Sequence, residues 1–323
     1  MPSLVGSEMC IRDSYNGSPS EREQVLVLTA HTDHPGFVVT NVSEGQIKAK
    51  FQGGLSAEYG DSETLIAYRL GKIRSEYEQI GTADLVQIET DQEHGRRITG
   101  ATLVPSIGTQ IEEGDMLLWD VTPFAISDEE VPMILARQCD DLIGVVTILD
   151  TLRTLARGKV AAHVVGLFTR AEEVGLMGAS AAGAGGNIPD GSVVIALETS
   201  SGDGGRAVQG DGPIIRVGDA GSIFNPYVSA WMEVIAKELA KNDEGFSFQR
   251  VLMDAGSTEA TAFHRLGYTT GALCVALGNW HNAGGNGKIE AENVSLYDTE
   301  ALVTLLAVSY THLRAHEPRH DLV

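Results

Sequence analysis

The sequence is poor in cysteine and in basic side chains, and both shortages narrow the classes of protein it can encode. Its three cysteines, Cys10, Cys139 and Cys274, are too few and too scattered for a disulfide framework. Only 23 Lys and Arg residues stand against 44 Asp and Glu residues, which gives a formal net charge of −21. Because that charge repels nucleic-acid phosphates and anionic lipid surfaces, we expect no nucleic-acid or membrane partner.

Long apolar runs are also missing. They reach about eight residues, whereas a membrane-spanning helix needs roughly 20. No charged segment followed by an apolar run marks a signal peptide, and we therefore expect a cytoplasmic protein. A chain of 323 residues with 43 % hydrophobic content can still fill a sizeable core.

The two ends of the chain differ from the rest. Residues 1–14 and 308–323 carry no sustained strand or helix period, and they resemble translated sequencing-adapter read-through. We expect both segments to be non-native, which would leave the natural protein truncated at both ends.

Between the ends, the pattern predicts an α/β fold. From about residue 132, apolar strands alternate with amphipathic helices, which favours a mixed, mostly parallel sheet flanked by helices. The predicted helices cover 141–158, 173–183, 225–242, 257–267 and 296–307, and the predicted strands cover 162–168, 192–197, 246–253 and 270–277.

Residues 41–130 break this rhythm. Short alternating segments such as "QIKAKF" and "LVQIET" are punctuated there by glycines and polar turns. We expect a small β-rich domain at 41–130, inserted into a catalytic domain formed by 15–40 and 131–307.

Ionisable side chains stand where predicted strands end or helices begin. They are His31 and Asp33 in "AHTDHPGF", Asp140 and Asp141 in "QCDDLIG", Glu172 and Glu173 in "AEEVGLMGA", Glu198 in "VVIALETSS", and His281 in "WHNAGG". In open α/β sheets, ligands bind outside the carboxyl ends of the strands. The sequence therefore predicts that these groups converge at one edge of the sheet.

Taken singly, these residues have ordinary explanations. Asp140 or Asp141 could cap the following helix, Glu172 and Glu173 could favour the dipole of the next one, and a lone histidine is more often hydrogen-bonded or exposed. Together they are harder to explain, because converging carboxylates repel one another unless cations neutralise them. Nitrogen and oxygen donors without a thiolate suit zinc, cobalt or manganese.

Two ions fit this set better than one. Five ligand candidates, one of them a carboxylate able to bridge, match a site in which paired metals share a water. Asp33, on the same strand face as His31, could orient that imidazole. Glu172, beside a ligand but not needed as one, is free to move protons. His34 is expected at the pocket rim or as a bystander.

The order and spacing of these motifs resemble the co-catalytic metallo-aminopeptidases of the glutamyl-aminopeptidase and tetrahedral (TET) type, over about residues 25–307. The resemblance implies that two divalent ions are bound, one by His31 and Glu198 and the other by Glu173 and His281. Asp140 would bridge them, ahead of a cis peptide bond to Asp141. The family usually has Asp where this chain has Glu198, which still ligates but alters the pocket depth.

The resemblance further implies an aminopeptidase that hydrolyses the N-terminal bond of short peptides, with Glu172 as general base, and a homo-oligomer that is often a dodecamer. A carboxypeptidase or N-acyl-amino-acid deacylase with the same metals is an alternative. Those relatives insert their second domain between the third carboxylate and the last histidine, a short segment here. A non-catalytic metal- or peptide-binding protein is the other alternative, although Glu172 and every expected ligand are present.

"DAGSTEA" (254–260) could form a pocket wall, or a turn with an N-cap at Ser257.

Overall fold

The computed structural model describes residues 11–15, 25–60, 63–71, 76–91, 96–159, 163–202 and 206–313. They form a ten-stranded sheet covered by helices and, beside it, a closed six-stranded barrel. The strands are β1 (Ile11–Tyr15), β2 (Leu26–His31), β3 (Gly36–Ser43), β4 (Gln46–Gln52), β5 (Thr64–Leu70), β6 (Tyr77–Asp91), β7 (Arg97–Pro105), β8 (Met116–Trp119), β9 (Phe124–Ile126), β10 (Met133–Ala136), β11 (Val164–Thr169), β12 (Val193–Ser201), β13 (Ile214–Arg216), β14 (Gln249–Val251), β15 (Thr269–Gly278) and β16 (Glu292–Ser295). The helices are α1 (Leu142–Arg157), α2 (Met177–Ala184), α3 (Pro226–Asn242), α4 (Glu259–Arg265) and α5 (Leu296–Leu313).

The large sheet has a parallel centre and antiparallel flanks. Its order is β1-β11-β2-β12-β15-β16-β10-β9, with β13 joined to β15 and β14. β11, β2, β12 and β15 run parallel, and both β2 and β11 are buried along their whole length. Burial on both faces explains their continuous apolar sequences. The expected α/β fold with a mixed, mostly parallel sheet is confirmed.

Helices cover both faces of this sheet. Leu26 and Leu28 of β2 pack in a core with residues of α1, α3 and α5, whereas Val27 faces the opposite side, towards α2 and α4. This alternation follows from the two-residue period of a strand. α1 begins after Asp141, whose carboxylate accepts a hydrogen bond from the Gly144 N–H at 2.9 Å.

The expected β-rich insertion is confirmed as an antiparallel barrel with the strand order β3-β4-β7-β6-β5-β8. Its strands begin at Gly36 and end at Trp119, and the chain then re-enters the large sheet through β9 and β10. Phe37 packs edge-on against Phe51 and Trp119, with ring centroids 4.8 and 5.4 Å apart.

Several boundaries differ from the sequence-based expectation. The strand expected at 246–253 is limited to β14, α4 begins after Thr258 instead of Ser257, and α2 begins only at Met177. Residues 173–176 are not helical because Gly175 and Leu176 have positive φ, at 116° and 58°. They close a turn that presents Glu172 and Glu173.

The two end segments have regular structure where they are described. β1 pairs antiparallel with β11, and α5 continues six residues past its expected end at 307. The rest of the expected non-native segments, residues 1–10 and 314–323, lies outside the described residues. None of the helices in the described part of the chain is long and apolar enough to cross a bilayer.

Candidate metal centre

The predicted site residues meet at the carboxyl edge of the parallel strands. His31 ends β2, Glu198 lies in the second half of β12, and His281 follows β15. Glu173 follows β11 in the turn described above. Because these strands are neighbours, their ends lie side by side. The fifth residue, Asp140, arrives from the loop between β10 and α1.

The five predicted ligands form two groups that share Asp140. His31 Nε2 lies 3.2 Å from Asp140 Oδ1 and 3.5 Å from Glu198 Oε1. His281 Nε2 lies 3.1 Å from Glu173 Oε1 and 3.9 Å from Asp140 Oδ2. One oxygen of Asp140 therefore faces each group, which is the arrangement that a bridging carboxylate requires.

Backbone carbonyls orient both imidazoles. His31 Nδ1 lies 3.0 Å from the carbonyl oxygen of Asp33, and His281 Nδ1 lies 2.6 Å from that of Gly54. A carbonyl oxygen only accepts, so each Nδ1 is the donor. In the neutral tautomer this leaves each Nε2 lone pair pointing into the carboxylate cluster, as a metal ligand requires.

Asp33 orients His31 in a different way from the one expected. Its backbone carbonyl makes the hydrogen bond, while its carboxylate Oδ1 is 3.7 Å from His31 Nδ1. That carboxylate instead accepts hydrogen bonds from the N–H groups of Glu172 and Glu173, at 3.1 and 3.2 Å. Asp33 therefore ties the end of β2 to the turn after β11.

The donor set fits divalent cations. Asp140 Oδ1 and Glu173 Oε1 are buried, and while the imidazoles are neutral neither oxygen accepts a hydrogen bond within the described residues. Ligand atoms of His31, Asp140 and Glu198 lie within 4.8 Å of one another, as do those of Asp140, Glu173 and His281. Two buried oxygens without donors, facing imidazole lone pairs, are satisfied when cations lie between them.

Charge interactions in the metal-free site act strongly on the histidines. Burial lowers the pKa of His31, but the hydrogen bonds and charges of Asp140 and Glu198 outweigh it, so the pKa lies well above the usual value. Burial also opposes the protonation of His281, and the charge of Glu173 raises its pKa to about 9. The metal-free imidazoles therefore hold protons where cations would bind.

The carboxylates do not all respond in the same direction. Burial raises the pKa of Glu172 to about 10, with a further rise from the charge of Glu198. Burial and the charge of Asp140 raise the pKa of Glu198 to about 8. For Asp140, burial is outweighed by the hydrogen bond and charge of His31, and its pKa falls below the usual range. The site as a whole lacks positive charge.

Asp140 and Asp141 are joined by a cis peptide bond, so that expectation is confirmed. Asp141 caps α1 and does not enter either ligand group. His34 is more than a bystander, because its Nδ1 lies 3.0 Å from the Asp140 carbonyl oxygen and its Nε2 lies 3.0 Å from Asn282 Oδ1. It therefore connects the loop of Asp140 to the loop of His281.

Sequence reasoning missed four further residues: Gly54, Arg216, Trp280 and Glu292. Trp280 stacks on the His281 ring at a centroid distance of 3.6 Å. Arg216 is a charged residue at the end of the apolar strand β13. The pattern that identified Glu198, an ionisable residue after an apolar run, could have identified Arg216 as well. Glu292 begins a strand instead of ending one, and Gly54 acts through its backbone, so side-chain chemistry at strand ends could not reveal them.

A cavity of about 670 Å³ opens over the ligand groups. His31, Asp140, Glu172, Glu173, Glu198 and His281 line its floor, and the predicted "DAGST" segment supplies wall residues 254–258. Arg97 lines it from the barrel, and Arg206 and Arg216 line it from the sheet domain. Both expectations for "DAGSTEA" therefore hold in part, since the segment forms a wall and leads into α4.

A mostly parallel sheet with paired histidine and carboxylate groups at its edge, and an inserted barrel beside them, is an arrangement that suits a metal-dependent hydrolase. The chain belongs to the M42 glutamyl aminopeptidase family, whose sequence model matches residues 14–303. The resemblance in the motifs is thereby confirmed, and the chain is an aminopeptidase.

Solved structures share the fold. The TET1 peptidase of Pyrococcus horikoshii is 20 % identical with a TM-score of 0.72, and the match covers 95 % of this chain and 88 % of that one. A TET aminopeptidase from a marine-sediment Thaumarchaeota archaeon is 20 % identical with a TM-score of 0.74, covering 96 % and 86 %. A Thermotoga maritima protein described as an endoglucanase is 17 % identical with a TM-score of 0.62, covering 95 % and 85 %.

Proposed function

We propose that this aminopeptidase binds two divalent ions and hydrolyses the first peptide bond of short peptides, with Glu172 as general base. The observation that carries the proposal is the position of Asp140, whose two oxygens face two different pairs of histidine and carboxylate. His31 and Glu198 would hold one ion, and Glu173 and His281 the other. Zinc suits the donors, as do cobalt and manganese.

Ions held there would lower the pKa of a shared water towards about 7 and polarise the scissile carbonyl. Glu172 also lines the cavity floor, where one of its oxygens lies within 4.8 Å of ligand atoms of His31 and Glu173. It belongs to neither proposed ligand pair and is not the proposed bridge. Asp33 fixes its backbone. The Glu172 pKa of about 10 belongs to the metal-free site, and cations held beside it would favour the ionised carboxylate, which can take the proton of the attacking water and pass it to the leaving amine. The surrounding carboxylates attract the free ammonium of the peptide.

The cavity wall also favours a substrate class. Arg216 is 4 % exposed and donates to Ser200 Oγ at 2.9 Å and to the carbonyls of Met253 and Gly256, both at 3.3 Å. All three acceptors are neutral, and no carboxylate in the described part of the chain pairs with Arg216. A buried cation without a counter-ion is costly, so a peptide whose first residue is Asp or Glu would be favoured. The family description, glutamyl aminopeptidase, agrees with this proposal.

The central experiment measures hydrolysis of aminoacyl-anilides and peptides by the zinc-loaded protein. Glu172→Gln is expected to lower kcat by about 10²- to 10⁴-fold with unchanged zinc content, whereas Glu300→Gln, an exposed change on α5, leaves kcat unaltered. N-acetylation of the peptide should block cleavage and C-terminal amidation should not. Glu172→Gln activity equal to the parent would remove the base assignment, and release of C-terminal residues would favour a carboxypeptidase.

A matching test addresses the substrate class. The ratio of kcat/KM for glutamyl-anilide over leucyl-anilide is expected to exceed one and to fall at least tenfold in Arg216→Met. Arg216→Lys, which keeps the charge, should fall less. An unchanged ratio in a folded, zinc-loaded Arg216→Met protein would contradict the assignment.

Assembly is a separate part of the proposal. The Pyrococcus horikoshii relative is described as a dodecamer and as able to form a tetrahedron or a large octahedral shell. We expect this chain to form a homo-oligomer, with twelve copies as the first candidate. Light scattering during size-exclusion chromatography gives the mass, and a monomer would contradict the expectation.

A further inference from the structure

We infer that Glu292 is a positioning residue that fixes Asp140 and His281 relative to each other and thereby sets the affinity for the ion between Glu173 and His281. The inference rests on the proposed two-metal function and extends it to a residue outside both ligand groups. Glu292 is fully buried at the start of β16.

Its carboxylate spans the two loops that carry these ligands. Oε2 accepts hydrogen bonds from the backbone N–H groups of Cys139, at 2.7 Å, and Asp140, at 3.0 Å. Oε1 accepts one from the backbone N–H of His281 at 2.8 Å. The strand order explains this reach, because β16 lies between β15, which leads to His281, and β10, which leads to Asp140.

The backbone around His281 needs such an anchor. Asn279, His281 and Asn282 have φ values of 56°, 55° and 65°, in the left-handed region that side chains other than glycine rarely adopt. Such residues persist only where the surroundings hold them. The Glu292 carboxylate accepts a hydrogen bond from the backbone N–H of His281, and the Gly54 carbonyl accepts one from Nδ1 of the same residue.

The three donors also define which substitution tests the role. All three are N–H groups, so the site accepts a group that presents two hydrogen-bond acceptors. Glutamine has the same shape but presents one oxygen and one NH₂ group. Glu292→Gln would therefore turn a donor towards at least one backbone N–H, and the two loops would no longer share a common acceptor.

The chain offers a matched control in Asp298. This carboxylate is also fully buried, and it accepts backbone N–H groups from Gly210 and Gly212, both at 2.9 Å. Neither glycine belongs to the metal centre. Asp298→Asn therefore removes the same kind of bond from the same domain without touching a ligand loop.

The test measures zinc affinity in the full-length protein by competition with a chromophoric chelator, together with the metal-free melting temperature. In Glu292→Gln the zinc between Glu173 and His281 is expected to bind 10- to 100-fold less tightly, whereas Asp298→Asn keeps the parent's affinities at a similar loss of Tm. Glu292→Asp keeps two acceptor oxygens on a shorter side chain, and its zinc affinity should lie between those of the parent and Glu292→Gln. If Glu292→Gln does not fold, Glu292→Asp against Asp298→Asn decides.

Zinc affinities within twofold of the parent in the folded Glu292 variant, or an equal weakening in Asp298→Asn, would overturn the inference. The parent protein tests the proposed function separately. A parent that binds two zinc ions but releases no amino acids would remove the proposed mechanism and leave the affinity comparison intact.

Discussion

Buried carboxylates in the large sheet and in the barrel differ in how their charge is balanced. Inside the barrel, the carboxylate of Asp115 is paired with Arg69, with Oδ1 2.9 Å from Nε and Oδ2 2.7 Å from Nη2. At the sheet edge, Asp140, Glu173 and Glu198 are surrounded by one another and by imidazoles. This barrel carboxylate is therefore paired within the chain, whereas the carboxylates of the sheet edge are expected to take their cations from outside. This difference indicates that a cation is expected at the sheet edge and not at the Asp115–Arg69 pair.

The two regions are nevertheless connected at the metal centre. The barrel supplies the Gly54 carbonyl to His281, and Ala283 and Ile289, in the loop after His281, pack against the barrel core. The described residues of the barrel thus supply none of the five proposed ligands, but the Gly54 carbonyl orients the His281 imidazole. The connection predicts that damage to the barrel affects the site only where it reaches residues 53–54 or the core surface under Ala283 and Ile289.

The largest expected effects come from matched core deletions. Leu28 of β2 and Leu103 of the barrel are both fully buried, and each change to Ala is expected to cost about 2–5 kcal/mol of unfolding free energy. Only Leu28→Ala, three residues before His31, should also weaken zinc binding. Chemical denaturation and chelator competition give both quantities, and weakened zinc binding in Leu103→Ala would break the comparison.

A smaller effect is expected at the junction itself. Gly53 has a φ of 109°, and a Cβ there would lie 2.8 Å from Pro35 Cβ and Cγ, so Gly53→Ala should displace the Gly54 carbonyl. We expect roughly tenfold weaker zinc binding together with a loss of about 1–3 kcal/mol in stability.

Gly45→Ala is the control for that variant. Gly45 also has a positive φ, of 77°, but a Cβ there meets nothing within 4 Å. Its cost should be limited to about 1 kcal/mol of backbone strain, with unchanged zinc affinity. Equal zinc affinities in the two variants would show that the barrel does not orient His281.

Proton release on zinc binding tests the charge deficit of the sheet edge. The pKa values of His31 and His281 are raised, the latter to about 9, so the metal-free imidazoles carry protons at pH 7. Zinc must displace them, and the Glu198 carboxyl, with a pKa of about 8, must lose its proton as well. We therefore expect about three protons released per chain at pH 7 and fewer above pH 9. Calorimetric titrations in buffers of different ionisation enthalpy measure this number. A binding enthalpy independent of the buffer would contradict the expectation.

The sequence revealed the parts of this site that follow from local pattern. His31 and Glu198 stand at the ends of apolar strands, and adjacent strand ends must meet, so their convergence could be predicted. Glu292 and Gly54 could not be predicted, because their roles depend on backbone groups far away in the chain. The pattern predicts a helix over the turn at 173–176, because its apolar spacing fits one and the positive φ of Leu176 leaves no trace in the sequence.

The smallest effect is expected for the Asp115–Arg69 ion pair of the barrel. It tests whether the charge of a barrel carboxylate is balanced without a cation. Burial raises the pKa of Asp115, but hydrogen bonds from the Arg69 guanidinium and the Glu112 N–H outweigh it, so the pKa lies below its usual value. A depressed folded-state pKa stabilises the fold above the unfolded value, near pH 3.8, and this contribution is lost as the pH falls through the folded-state value. Because Arg69 is partly exposed, a double-mutant cycle of Asp115→Asn and Arg69→Met should give a coupling of only about 1 kcal/mol at pH 7. The coupling should decline only below pH 3.8, and zinc affinity should be unchanged in all three variants, since the pair is complete without a cation.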